Sequence, residues 1–137
     1  MNSEELKKRT KQFALRCLKV ADSLPRSPGG KAIASQLARS GTSVAANYRA
    51  TCRARSHREF IAKVGVVEEE ADESCLWLEL AWEGEYLPKK RVAPLHDEAT
   101  ELTKISAASH ITATKRTQAT ARVRPRANQQ SAIRNPQ

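Results

Sequence analysis

Apolar side chains recur every three or four residues along most of the chain, the spacing that places them on one face of an α-helix. The first such segment extends from about Ser3 to Ser23, with Ser3 as the expected N-cap and Pro25 ending the helix. Its expected inward positions are Leu6, Thr10, Phe13, Cys17, Val20 and Leu24. The pattern therefore predicts an amphipathic first helix.

A second helix is predicted directly after a Ser-Pro pair. Ser27 is a favourable N-cap, and Pro28 is a favourable first helical residue because its missing N–H would have no partner there. The expected inward positions are Ile33, Leu37, Gly41, Val44, Tyr48 and Thr51. Because Gly41, Ala45 and Ala46 are small, we expect a neighbouring helix to approach this one closely.

The third predicted helix has two usable faces. It begins at Ser56, where Ser-His-Arg-Glu is the pattern of a capping box closed by Glu59. Its inward heptad positions are Phe60, Val64, Val67, Ala71, Ser74, Leu78 and Ala81. Beside them runs a second stripe of Lys63, Val66, Glu70, Glu73, Trp77 and Leu80. We therefore expect this helix to pack both in its own bundle and against another subunit.

The fourth helix is expected to begin near Pro94, with Asp97 and Glu98 in its first turn. Its stripe is Leu95, Ala99, Leu102, Ile105 or Ser106, and Ser109. From residue 112 the sequence is rich in Thr, Gln and Arg and lacks acids and aromatics, which is typical of disorder. The predicted fold is an all-α, antiparallel up-down-up-down four-helix bundle over residues 1–111, followed by a disordered basic C-terminal tail over residues 112–137.

Charge is distributed unevenly along the chain. The total is +9, but residues 1–58 carry +10, residues 59–102 carry −8 and residues 103–137 carry +7. Such a division is consistent with a polyanionic partner, with an acidic protein partner, or with pairing between basic and acidic faces of two copies. Net charge alone does not choose among these three.

The cysteines give no sign of a disulfide framework or a zinc site. They are odd in number and lack CxxC spacing, so we expect inert buried thiols at Cys17, Cys52 and Cys75. No apolar run approaches the roughly 20 residues of a membrane span, and the N-terminus has no apolar signal core. The expected location is the cytoplasm, without membrane association.

Catalytic patterns are equally weak. We expect the three histidines, His57, His96 and His110, to lie exposed at helix ends in structural roles. No nucleophile, base and orienting group can be named together, and no Glu-x-x-His pair suggests a bundle metal site. The chain is therefore predicted not to be an enzyme and to need no metal or cofactor.

Two sets of residues are candidates for binding. The nucleic-acid-binding candidates are Lys31, Arg39, Arg49, Arg53, Arg55 and Arg58, which could also be only a solvated basic face. The oligomer-interface candidates are Lys63, Glu70, Glu73 and Trp77. The carboxylates of Glu70 and Glu73 could be solvated, or they could pair with arginines of the second helix within or between subunits.

Three ordered motifs resemble those of a known bacterial family, the four-helix bundle or 23S rRNA-intervening-sequence proteins. The first motif is Arg39, Ser40, Thr42, Ser43, Val44, Ala46, Asn47 and Tyr48. The second is Ser56, Phe60 and Lys63. The third is Glu70, Glu73, Ser74, Trp77 and Leu78. The resemblance covers about residues 10–110 and leaves out the tail.

The resemblance implies an antiparallel four-helix bundle that forms a ring-shaped homopentamer. Some relatives resemble the accessory protein of diversity-generating retroelements, which implies nucleic acid and a reverse transcriptase as possible partners. The leading hypothesis is a non-enzymatic homo-oligomer that binds RNA or DNA through basic surfaces with little sequence preference. The alternative is a protein-interaction scaffold or accessory protein whose charge division serves self-assembly.

Overall fold

The computed structural model describes the backbone of residues 1–134 and the side chains of residues 1–119. Within this part of the chain all regular structure is helical. The four helices are α1 (Ser3–Ser23), α2 (Pro28–Cys52), α3 (His57–Glu83) and α4 (Lys89–Arg134). The prediction of an all-α protein with four helices is confirmed.

The helix starts follow the capping chemistry of the sequence, with one correction. Ser27 and Ser56 cap α2 and α3 as predicted, each accepting a hydrogen bond from the backbone N–H three residues later. The cap of α1 is Asn2 and not Ser3, because the Asn2 side chain and Glu5 form a reciprocal capping box. Ser3 is instead the first helical residue.

Helix α4 begins five residues earlier than the pattern around Pro94 predicted. It starts at Lys89, immediately after Pro88, and Pro94 lies inside it. The physical reason is Val92, which is fully buried and in line with Leu95 on the same inward stripe. Burial of one more apolar side chain outweighs the backbone hydrogen bond that Pro94 cannot donate.

The end of α3 contains the one non-glycine residue with a left-handed backbone among residues 1–134. Glu85 has φ of 61°, following Gly84 at the C-cap. The N–H groups of Tyr86 and Leu87 both donate to the carbonyl of Ala81, which satisfies the end of the helix. The chain then turns from Gly84 to Pro88 before α4 begins at Lys89.

The core consists of the predicted inward stripes. Its fully buried side chains include Phe13 of α1, Leu37 and Val44 of α2, Leu78 of α3 and Leu102 of α4. A smaller cluster of Leu24, Ile33 and Ala81 closes one end. The main additions to the prediction are Ser40 and Val92, both completely buried.

Helix α4 continues past the predicted boundary at residue 111. Its inward stripe reaches Ala113, which is buried, and the carbonyl of Ala113 lies 2.8 Å from Nε2 of His57. Residues 112–119 are therefore helical and not a disordered tail, because Ala113 extends the buried stripe and its carbonyl meets His57 at the start of α3. Of residues 120–134 only the helical backbone is described, and residues 135–137 lie outside the described residues. The division into two domains stays a prediction.

Candidate nucleic-acid interface

Arg39 is held by two carboxylates of the neighbouring helix. Its Nη1 donates to Glu70 at 3.1 Å and its Nη2 donates to Glu73 at 2.6 Å. The hydrogen bond to Glu73, reinforced by both negative charges, raises the pKa of Arg39 above its ordinary value. The structure thus joins a predicted nucleic-acid contact and two predicted interface residues in one ion-pair cluster within the chain.

A buried hydroxyl pair lies directly beneath this cluster. The Oγ atoms of Ser40 and Ser74 are 2.8 Å apart, and both residues are completely buried. Ser74 also donates to the carbonyl of Glu70. Because a buried hydroxyl without a partner is costly, this pair fixes the register between α2 and α3. We refer to Arg39, Ser40, Glu70, Glu73 and Ser74 together as the α2–α3 clip.

The other predicted phosphate contacts are all exposed. Lys31 and Arg49 lie on the outer side of α2, and Arg53 is its C-cap. Arg55 and Arg58 flank the start of α3, where the backbone N–H of Arg55 donates to Glu59. All six candidates are therefore on the surface, and one of them, Arg39, is already paired in the clip.

A basic groove lies between α1 and α2, and sequence reasoning missed half of it. The groove has a volume of about 360 Å³, and its walls carry Lys7, Lys11 and Arg49 over a floor of Ala45 and Ala46. Its width follows from the small alanines, which leave space between the two helices. The missed signal is the spacing of Lys7 and Lys11, one turn apart on one side of α1.

A second, smaller groove lies on the opposite side of α1. It measures about 160 Å³ and carries Arg16, Lys19 and Arg91 between α1 and α4. Arg9, the remaining arginine of α1, is already paired, since it makes two hydrogen bonds of 2.7 Å to Glu98. Cations thus border α1 along both of its flanks.

The predicted interface residues line the side of α3 that faces α2. Lys63, Glu70, Glu73 and Trp77 are each half-buried within the single chain. Trp77 packs on both core clusters, and its Nε1 is the one fully buried side-chain nitrogen or oxygen without a hydrogen-bond partner among the described side chains. Much of the predicted second face of α3 is therefore occupied by α2 of the same chain.

A cavity of about 810 Å³ opens at the end of the bundle where α1 begins. Leu6, Tyr48, Phe60 and Ile105 line it, and Cys52 lies at its edge. Burial, and then the hydrogen bond with Cys52, raise the pKa of Tyr48. The prediction that all three thiols are buried is wrong for Cys52, because the last residue of α2 is exposed beside this cavity.

Cys17 and Cys75 are buried as predicted. Burial raises the pKa of the Cys17 thiol to about 12 and also raises the pKa of Cys75. Both thiols therefore stay protonated and unreactive at neutral pH, because the thiolate is the nucleophile.

The histidines have partners that the sequence did not predict. His96 is half-buried, with its Nε2 2.8 Å from Glu79 and its ring edge-on to Trp82 at 5.0 Å. His57, exposed as predicted, stacks on Phe60. In residues 1–119 no three or more His, Cys, Asp or Glu side chains are grouped so that they could hold a metal ion. No helix in the described part is long and apolar enough to cross a bilayer.

The comparisons with known proteins decide the family. The model of the 23S rRNA-intervening sequence protein family matches residues 3–108. This chain belongs to that family. A solved structure of a protein of unknown function from the S23 ribosomal protein family of Bacteroides thetaiotaomicron is similar, at 30% identity and a TM-score of 0.71. The similarity covers 76% of this chain and 96% of the other. No curated protein matches the chain.

The α2–α3 clip coincides with the sequence motifs of the 23S rRNA-intervening sequence protein family. All five clip residues belong to the motifs that carry the family resemblance, and in this chain they bind one another across α2 and α3. The groove residues Lys7 and Lys11 lie within the matched range but outside those motifs. The motif residues of the clip therefore have a structural explanation that requires no ligand.

Proposed function

We propose that this protein is a non-enzymatic, antiparallel up-down-up-down bundle that assembles as a homo-oligomer and binds nucleic acid through its basic surfaces. The antiparallel arrangement is supported by contacts along α3 and α4, where residue numbers rise on one helix as they fall on the other. His57 meets Ala113, Cys75 meets Thr100 and Glu79 meets His96. The homo-oligomer, with five subunits, rests on the family resemblance.

The observation that carries the binding proposal is the groove between α1 and α2. Lys7, Lys11 and Arg49 converge there from two helices. Among side chains 1–119, of these three only Lys7 has a close acidic partner, the exposed Glu4. Three cations along a groove with an alanine floor suit a chain of phosphates, because small residues let a backbone approach closely. Lys31, Arg53, Arg55 and Arg58 extend the positive surface along α2 and the start of α3.

The same geometry supports binding with little sequence preference. Phosphate contacts from Lys and Arg give affinity and orientation but do not distinguish bases. Base recognition in single strands usually needs exposed aromatic rings for stacking, and the groove walls hold none. RNA and DNA are therefore both expected to bind, with affinity set mainly by charge.

The test is light-scattering mass on size-exclusion chromatography with and without a short structured RNA or a DNA duplex. We expect a mass of several subunits that increases with either nucleic acid at about 50 mM salt, and an increase that largely disappears at about 200 mM. An oligomer whose mass is unchanged by both nucleic acids at low salt would overturn the binding proposal.

A further inference from the structure

The outer faces of α1 and α3 each carry a pair of exposed leucines between charged residues, which are lysines on α1 and acids on α3. On α1, Lys8 and Lys19 enclose Leu15 and Leu18, whose exposed fractions are 46% and 37%. All four residues lie on the side of α1 that faces away from the core, together with Lys11. One turn beyond each of Lys8 and Lys19 the same side carries an exposed acid, Glu4 or Asp22, so the face is basic in its middle. An exposed pair of leucines on one helix face suggests a docking surface and not a solvated one.

On α3, Asp72 and Glu83 enclose Leu76 and Leu80, whose exposed fractions are 47% and 41%. Glu69 adds a further acid on the same face. Leu80 was predicted as the last member of the second stripe, but it is exposed here, and the other four residues lie outside that stripe. The outer face of α3 is therefore apolar in the middle and acidic at its ends.

The two faces have opposite charges at the same spacing. Eleven residues separate Lys8 from Lys19, and eleven separate Asp72 from Glu83. At a helical rise of about 1.5 Å per residue, the charges on each face are about 16 Å apart. Two helices packed side by side in either direction could thus pair both charges while their leucines meet between them.

The faces cannot meet within one chain. Helices α1 and α3 lie at diagonal corners of the bundle, and among the described residues no Cα of one is within 8 Å of a Cα of the other. Their outer faces consequently point away from each other. A second copy of the same chain carries an acidic face for the outer face of α1 and a basic face for the outer face of α3.

We propose that the outer face of α1 in one copy docks on the outer face of α3 in the next. This inference rests on the proposed homo-oligomer and names its contact surface. A symmetric contact of α3 with α3 would oppose acids, and one of α1 with α1 would bring together the lysines in the middle of that face. The contact is therefore head-to-tail, which builds a ring when the rotation between copies closes. Lys31, Arg49 and Arg53 of α2 lie outside this contact, whereas Lys11 of the basic groove lies at its edge, one turn from Leu15.

Charge reversal on the full-length chain tests the contact, with light-scattering mass measured in the absence of nucleic acid. Lys8→Glu with Lys19→Glu, or Asp72→Lys with Glu83→Lys, is expected to lower the mass toward one subunit. The fourfold variant that combines both pairs restores opposite charges across the contact, and we expect it to regain the wild-type mass. Lys31→Glu with Arg49→Glu is the matched control, because these exposed residues of α2 lie outside the contact.

The possible results separate this contact from the proposed function. A lower mass in each twofold variant and recovery in the fourfold variant would support the contact, with melting curves verifying that every variant folds. A wild-type oligomer whose mass is unchanged by both reversals would overturn the contact and leave the homo-oligomer standing. A wild-type protein that is a monomer at every concentration would overturn both. Leu15→Gln provides a second variant without charge change and should also lower the mass.

Discussion

Helix α2 has two neighbours, and its contacts with them are built differently. Toward α3 it is polar, because Arg39 binds Glu70 and Glu73 above the buried Ser40–Ser74 pair. Toward α1 it is a close approach of small residues, with lysines and Arg49 left along the groove. The difference arises from the partner helix, since α3 is acidic and α1 is basic.

This contrast explains why two arginines on one helix have different roles. Arg39 and Arg49 are both exposed basic residues in the sequence pattern of α2. Arg39 faces carboxylates and contributes to the fold, whereas Arg49 faces Lys7 and Lys11 and stays available to an anion. A basic position on a helix can therefore be assigned to binding only when the charge of the neighbouring helix is known.

The largest effect is expected at the α1–α2 contact. A Cβ at position 41 would lie 2.5 Å from Cβ of Cys17 and 2.6 Å from its Sγ, so Gly41→Ala should destabilise the fold by about 1–3 kcal/mol. The control is Gly65→Ala, where a Cβ meets only His110 at ordinary contact distance and helix propensity should increase stability slightly. Urea denaturation measures both. Equal stability of Gly41→Ala and wild type would contradict the close approach.

The next effect concerns the hydroxyl pair of the α2–α3 contact. Ser74→Ala removes the Oγ–Oγ hydrogen bond and leaves the Oγ of Ser40 with the carbonyl of Leu37 at 3.5 Å, so the expected decrease in stability is about 0.5–1.5 kcal/mol. The variant with alanine at both positions should be destabilised by less than the sum of the two single changes, because the hydrogen bond between the two hydroxyls is lost only once. Urea denaturation of the four proteins gives the coupling free energy. Strict additivity would mean that the two hydroxyls do not interact.

The α1–α2 contact, unlike the α2–α3 contact, includes a buried thiol, Cys17, that should make stability depend on pH. The unfolded Cys17 thiol ionises near its ordinary pKa of 9.0, while burial raises the folded pKa to about 12. The contribution of Cys17 is therefore complete below about pH 9 and declines as the pH rises toward 12. Over this pH range the melting temperature of wild type should fall more steeply than that of Cys17→Ala. Residual dependence would come from Cys75 and Tyr48, whose pKa values are raised as well. Identical slopes in both proteins would rule out the buried thiol as the cause.

The smallest effect is expected from Arg39. Its side chain is 48% exposed, so solvent screens both ion pairs, and Arg39→Ala should destabilise the fold by only about 0.2–1 kcal/mol. Glu73→Gln removes one of the two charges and should cost less. Thermal melting at low and high salt provides the measurement, and the difference from wild type should shrink as salt rises. A destabilisation that is independent of salt would show that packing and not charge is responsible.

Much of the fold could be predicted because it depends on local patterns. The inward stripes place Phe13, Leu37 and Leu78 correctly, and the Ser27-Pro28 pair gives the start of α2. The start of α4 could not be predicted in the same way, because Pro94 resembles a first helical residue until the burial of Val92 is known. The exposure of Cys52 likewise depends on where α1 begins in space.

The candidate site could be predicted only in part. Helical periodicity indicates which residues of α2 point outward, but it does not say which neighbouring helix each one meets. Periodicity therefore groups Arg39 with Arg49, although only Arg39 lies opposite carboxylates. It does not indicate Lys7 and Lys11 as groove residues, because their partner Arg49 is 38 residues away from Lys11 along the chain. Such a site depends on tertiary contacts, and its one local sign is the spacing of Lys7 and Lys11, one turn apart on α1.

The central claim is that the α1–α2 groove binds phosphates while the α2–α3 clip supports the fold. Fluorescence anisotropy of a labelled duplex DNA, titrated across a range of salt, tests it most directly. Replacing Lys7, Lys11 and Arg49 together by alanine should weaken binding and reduce the slope of log affinity against log salt by about one for each phosphate that is no longer neutralised. Arg39→Ala should keep both the affinity and the slope of wild type. The account would be contradicted if Arg39→Ala weakened binding as much as the groove variant, or if the groove variant bound as tightly as wild type.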